Sequence, residues 1–570
     1  MAKVKEKNTK KDYKQSLQEL LGHYEDGWDV FKNAKHWDYP VIKKEASKDN
    51  PGLPGTWLEL ADKAISIIAK EKYDLDCYAN TIEIITSGQM LDNYASVGMP
   101  ISYEHWSFGK QRIMEEQAYK QGKKGLAYEI VINTDPAIAY CMEGNTPLMQ
   151  LLVIAHASYG HNSFFKGNYM FKQFTNATNI LGDLRHLKDF IHECEEKYGF
   201  EEVERLLDAC HAMKLMDVNR YTKPEPKSLA EKKKIADRLR EERFAKPEVS
   251  DIWDNIRPKK DFADNAEDKR RNTILVGDEE NILKYMADNA PHLPEWKRQI
   301  MHMMSDKAQY FYPQMQTQVM NEGWASFWHY TILSDMAELG LISDGMMTEF
   351  LDSHAGVLFQ PDHDSPYFNI SSRMNPYALG FAIYQDIKRI CVDPTDEDRE
   401  WFPEIAGCQD WLGTFKEAMQ NFKDESFILQ YLSPKVIRDF KFFVLSDEEE
   451  NDYYEISAIH NAKGYREVRE ALSSEYRLGA NIPYIEAHEY NYKTDRALIL
   501  HHTIHNGKPL DAQSTRDVLK HMYQLWEHPV VIKSLDKNGM EVEAFSCPPN
   551  YIKKKAPNND KPKSDTILLP

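Results

Sequence analysis

The chain has no C-x-x-C pair, no glycine-rich phosphate loop, no G-x-S-x-G elbow and no dinucleotide fingerprint. Thiolate zinc ribbons, P-loop nucleotide hydrolysis, α/β-hydrolase chemistry and Rossmann redox chemistry lose their usual signatures. Its seven cysteines (77, 141, 194, 210, 391, 408 and 547) are an odd number without framework spacing. They point to reduced thiols in a cytoplasmic protein rather than to a disulfide scaffold. Long apolar runs are also missing. The longest, PLMQLLVIAHASY, is interrupted by Gln150 and His156 and falls short of the ~20 residues a membrane span requires. The N-terminus carries charge but no apolar core, so no secretory signal is expected. Basic charge is short as well: a net charge of −19 argues against a general nucleic-acid binder, which needs a cationic face to release counterions.

What the chain does have is length and apolar mass. Its 570 residues exceed one ordinary core, and 42% apolar with 12% aromatic residues is ample for two or three domains. Residues 1–14 read as a disordered basic tail. From 15 to 221 the apolar spacing is helical, as in QSLQELLGHYEDGWDVFKNA and EEVERLLDACHAMKLM, apart from a strand near 127–133 that ends at Asp135-Pro136. Residues 222–262 are charge-dense and aromatic-poor, a linker or excursion. Helical pattern returns over 263–440, divided at Pro313, and packs with the first helical part. Over 441–552 the pattern alternates, implying a smaller α+β domain on an antiparallel sheet. It has one helix, STRDVLKHMYQLWEH, and an Asn-Gly hairpin in LDKNGMEVEAF. Residues 553–570 read as a disordered tail. The fold class is therefore a mainly α N-terminal region with a smaller C-terminal α+β domain.

Two segments carry chemistry. VMNEGWASFWHY (319–330) sets Asn321, Glu322 and His329 among aromatics in a helix that reads as buried. A buried ionisable group needs a partner, because desolvating it alone costs several kcal/mol. Glu322 and His329 differ by roughly 20° around an α-helix, so they share a stripe but sit about 10 Å apart along it. The bland alternative is a Glu and a His filling polar gaps in a core. In AHASYGHNSFF, His156 and His161 lie five apart, about 140° around an ideal α-helix. Only a π-bulge or a helix end at Gly160 brings both to one site.

Two histidines followed later by Asn-Glu-Gly-aromatic-Ala resembles the ligand order of gluzincin metallopeptidases, with Glu322 as third ligand and Gly323 and Ala325 permitting close packing. Two departures stand out: Ala157 occupies the place of their general base, and the gap to Glu322 is far longer. The likeness therefore implies a metal site, zinc-like and on His156, His161 and Glu322, whose base is lost or relocated, not a peptidase of that type. His329, Asn321, His105, His354 and His363 are candidates for its rim or supporting shell. The last two sit in LDSHAGVLFQPDHDSPYF, a stretch rich in acids and histidines.

Several long phrases carry a closer likeness: IAHASYGHNSFFKGNY, QYFYPQMQTQVMNEGWASFWHY, DSHAGVLFQPDHDSPYFN, NPYALGFAIYQDIKRIC and NFKDESFILQYLSPKVIRDF. Together they resemble the SpoVR family (stage V sporulation protein R type) over roughly residues 15–550, in the form common to non-spore-forming proteobacteria. The resemblance implies a link to spore-cortex formation or to stationary-phase stress. It also implies genetic association with a PrkA-type serine protein kinase and a protein with a von Willebrand-type domain; it implies no reaction. Two readings follow: a regulatory or scaffolding protein of that kinase system, with the polar groups as a packing network, or a metal-dependent hydrolase acting on a cell-wall-related peptide or precursor. Lys or Arg paired with Glu322 marks the first, and imidazole nitrogens converging on Glu322 mark the second.

Overall fold

The computed structural model describes residues 12–48, 50–95, 99, 101–120, 129–221, 274–360, 374–442, 445–446, 455–456, 462–476, 482–491, 494–504, 507–549 and 551. The expected linker, most of the basic N-terminal tail and the C-terminal tail lie outside them, as does His363. The chain divides into two compact units, one of residues 1–192 with 310–481 and the other of 193–309 with 482–570. The second unit thus takes residues 193–309 in addition to the C-terminal region, where the sequence pattern placed them with the helical part. Among the described residues no helix is long and apolar enough to cross a membrane.

The first unit is mainly helical around one large apolar core, with a small sheet at its side. Strands β1 (Asn80–Ile85), β2 (Glu129–Ile132) and β3 (Ala137–Met142) are ordered β1-β3-β2, β3 running parallel to β1 and antiparallel to β2. β2 is the strand the sequence announced. β1 and β3 were not anticipated, although Thr81, Ile82, Ile84 and Ile85 supply the β-branched content that strands favour. Two short strands, β5 (Leu445–Ser446) and β6 (Glu455–Ile456), pair with each other.

Four helices of this unit position the candidate site. α1 is one run over 147–167, α-helical at Pro147–Val153, π-helical at Ile154–His161 and α-helical again at Asn162–Gly167. Thr146 caps its start, accepting from Met149 N, and Pro147 occupies the first turn, where a missing N–H costs nothing. α2 (Gln318–Glu338) is apolar nearly all round and correspondingly buried. α3 (Asp344–Val357) starts at the capping hydroxyl of Ser343, and α4 (Pro376–Val392) at the side chain of Asn375.

The expected break at Pro313 falls four residues later. The preceding helix, Glu295–Gln316, runs through Pro313 and stops at Thr317, whose hydroxyl donates to the Pro313 carbonyl. α2 then begins without a cap of its own. Instead the Asp424 carboxylate accepts from Val319 N and Met320 N, both at 2.9 Å, and so fixes the turn before Glu322. A further helix, Ala462–Glu475, lies where the sequence pattern suggested only strands; Tyr465, Val468 and Leu472 form its inward stripe.

The second unit holds a five-stranded sheet. Its strands are β4 (Ile274–Glu279), β7 (Tyr484–Tyr490), β8 (Leu498–Thr503), β9 (Val530–Leu535) and β10 (Glu541–Cys547), in the order β10-β9-β8-β7-β4. The sheet is mixed rather than purely antiparallel, because α5 (Ala512–Trp526) joins β8 to β9 as a crossover and leaves those two parallel. β9 and β10 form the expected hairpin, with Gly539 at φ +75°.

Candidate metal centre

The π segment of α1 resolves the spacing problem. In a π turn hydrogen bonds close from i to i+5, so residues five apart return to about the same face. His156 and His161 therefore meet, their ring centroids 4.6 Å apart and nearly perpendicular. Gly160, between them, sits against α2: a Cβ there would lie 2.6 Å from Ala325 Cα. On its other side α2 crosses α4 just as closely, a Cβ on Gly323 falling 2.3 Å from the Gly380 carbonyl carbon. Two backbone-to-backbone contacts thus set the position of Glu322 against α1.

Glu322 Oε2 lies 3.4 Å from His161 Nε2 and 3.7 Å from His156 Nε2. A second carboxylate, unforeseen from the sequence, arrives from β2: Glu129 Oε1 is 3.3 Å from His156 Nε2. Ligand atoms of Glu129, His156 and His161 all lie within 4.8 Å of one another, a group that could hold a metal ion. Both histidines are buried, and Glu129 and Glu322 retain 15% and 18% side-chain exposure. The Oε2 atoms of both carboxylates are enclosed and accept no well-formed hydrogen bond among the described residues. Such orphaned oxygens are costly unless something absent from the protein chain satisfies them.

The distances fit a cation. Donor atoms about 2.0–2.2 Å from a tetrahedral zinc are separated from each other by about 3.4 Å. The two contacts of Glu322 with the histidines, 3.4 and 3.7 Å, are close to such edges, and Glu129 Oε1 stands 3.3 Å from His156 Nε2. His161 Nδ1 lies 2.9 Å from Asn321 Oδ1, so Nδ1–H donates to the amide and Nε2 faces the carboxylates. His156 Nδ1 meets His329 Nδ1 at 2.8 Å, and His329 Nε2 meets His354 Nδ1 at 2.8 Å. Tyr377 stacks at 6.3 Å on His156, and Phe165 at 6.0 Å on His161.

Burial and charge divide the groups electrostatically. Burial pushes the Glu129 carboxyl up to about 8, with Glu322 adding to the rise and His161 opposing it. Burial also acts upward on Glu322, but the charge of His161 and the close imidazoles of His161 and His156 hold it well below the usual carboxylate range. His161 is raised: burial acts against its charge, but Glu322 more than compensates. Burial and the neighbouring His161 push His156 down to about 4. Burial likewise drives His354 to about 4 and His329 well below its ordinary value.

Of the residues singled out in the sequence, His156, His161, Glu322, Asn321, His329 and His354 come together. His105 is buried at the start of helix Trp106–Lys120, where its Nδ1 meets Ser107 Oγ at 2.7 Å and its ring lies against Trp106 and Phe108. Glu129 had one signal, an acid inside an otherwise apolar strand. No Lys or Arg forms an ion pair with Glu322 among the described residues; the groups that lower its carboxyl are the two histidines.

Comparison with known proteins gives a consistent picture. Residues 55–481 match the family described as SpoVR like protein, and residues 483–537 match the SpoVR-like C-terminal domain. The junction between them coincides with the unit boundary at 481/482. The uncharacterized protein YcgB of Escherichia coli (strain K12) is 49% identical over 501 residues, 88% of this chain and 96% of the relative. No solved structure matches the chain.

Proposed function

The chain belongs to the SpoVR-like family, and we propose that it is a metal-dependent protein of hydrolytic type, with one divalent, zinc-like cation held by His156, His161 and Glu322. The observation that supports this most is the set of 3.3–3.7 Å contacts among two imidazoles and two carboxylates, each carboxylate with an orphaned oxygen. A cation of this kind supplies a water whose pKa falls to near 7, a nucleophile for an amide or ester carbonyl. Asn321 orients His161, and the Asp424 cap and the Gly323–Gly380 crossing hold Glu322 in register. Glu129, on a different element from the other three, takes the place of the relocated base: its Oε1 lies 3.3 Å from His156 Nε2, beside the proposed cation. The Glu directly after the first histidine of the gluzincins is Ala157 here, so the base comes from β2 instead of α1.

The test is metal analysis of protein purified without a histidine tag. The proposal expects one equivalent of metal in the wild type and loss of it in Glu322→Ala and His161→Ala. Metal-free wild type overturns it. The regulatory reading, a scaffold acting with a PrkA-type kinase and a von Willebrand-type-domain partner, predicts that metal-free result.

A further inference from the structure

Beyond the centre lies a feature that a metal site does not require: three imidazoles in series. His156 on α1, His329 on α2 and His354 on α3 are joined by two nitrogen-to-nitrogen contacts of 2.8 Å. All three are buried, at 4%, 1% and 6% exposure, and His354 is enclosed by Tyr330, Phe350 and Phe381.

A hydrogen bond between two imidazole nitrogens needs one proton, on one of them. A neutral ring carries one proton, and burial of three imidazoles in series disfavours a charge on any of them. Three protons must then serve two bonds through a middle ring that owns only one. If His329 carries its proton on Nδ1, it donates to His156, which keeps its own on Nε2; His354 then donates to His329 from Nδ1. If His329 carries it on Nε2, it donates to His354. His156 then donates from Nδ1, leaving Nε2 a bare lone pair, and His354 holds its proton on Nε2. With all three rings neutral, no other arrangement satisfies both contacts.

We infer that His329 is a positioning residue, locking His156, His329 and His354 into one shared tautomeric order in which a cation at His156 Nε2 is read out at the far nitrogen of His354. This rests on the metal reading above. Between the two orders no net charge changes: one proton leaves His156 Nε2 to water, one shifts along each of the two contacts, and one enters at His354 Nε2 from water. Without a cation, the Glu322 carboxylate facing His156 Nε2 at 3.7 Å favours a proton on that atom. With one, the lone pair is required there, and all three rings turn over together.

The experiment is nitrogen-15 NMR of histidine-labelled full-length protein, titrated with zinc alone, with zinc affinity measured by chelator competition. In zinc-free wild type the three rings should show the first order, and zinc should convert all three, His354 included, to the second. His329→Phe should weaken zinc binding about 10- to 100-fold, as loss of a group orienting a ligand does. It should also abolish the His354 response, and His329→Gln, which can accept and donate at once, should restore part of both. Rings of mixed order in the zinc-free wild type, or a His329→Phe protein with unchanged affinity and unchanged His354 response, would overturn the inference. Wild type that binds no zinc would instead remove the metal reading, whatever order the rings show.

Discussion

Gly323→Ala tests how the fold holds Glu322 in place. At this position α2 and α4 touch through backbone alone, and the added Cβ would lie 2.3 Å from the Gly380 carbonyl carbon and 2.8 Å from its oxygen. Ordinary contact begins at 3.4 Å, so the helices must part by about 1 Å, and no side chain can rotate out of the way. Overpacking of this kind costs about 1–3 kcal/mol, and a rigid backbone contact belongs at the upper end. Glu322 is the adjacent residue, and ligand positions tolerate only about 0.2 Å. The variant should therefore lower the urea midpoint and also weaken zinc binding by at least about tenfold. Gly182→Ala is the control: it lies in a helix with nothing within 4 Å of the new Cβ, so it should gain about 0.5–1 kcal/mol and leave zinc binding unchanged. A Gly323→Ala protein with wild-type midpoint and wild-type zinc affinity would refute the reasoning.

Other outcomes follow from the same contacts. Asp424→Ala leaves Val319 N and Met320 N without their acceptor and should cost about 2 kcal/mol, read by urea denaturation. Glu322→Gln should lose the metal while Glu129→Gln keeps it, since the first is assigned as a ligand and the second as a base; metal analysis separates them. Asp398 is buried and accepts two bonds from Arg389, at 2.6 and 2.8 Å. Burial raises its carboxyl, but Arg389 and Thr395 outweigh that and hold it at about 2, below an ordinary 3.8. A depressed folded value gives stability that is complete above pH ~4 and lost as pH falls from about 4 to about 2, a loss of about 2 kcal/mol. Denaturation midpoints across that window should show this loss in the wild type and not in Asp398→Asn.

How much of this was legible in the sequence depends on the element. His156, His161 and Glu322 stood out because ionisable residues embedded in apolar helical pattern need partners, and the five-residue spacing itself called for a π turn. Sequence alone left that turn as one of two options, because a π segment follows from packing against Ala325 and not from local propensity. Glu129 escaped notice because a strand brings its side chain in from outside the helical pattern, and one acid in a short strand is ordinarily a solvated edge residue. Helix 462–475 had a plain inward stripe at Tyr465, Val468 and Leu472, but its charge-rich remainder hid it among neighbouring strands. The parallel pairing of β8 and β9 follows from α5 between them, a rule of connection that alternation within each strand does not display.

The most direct measurement of the central claim is X-ray absorption at the zinc edge of the loaded, tag-free protein. The account predicts two imidazole nitrogens at about 2.0–2.1 Å, with the rest of the shell made of oxygens at about 2.0–2.2 Å. A shell containing sulfur at about 2.3 Å, or fewer than two imidazoles, would contradict it.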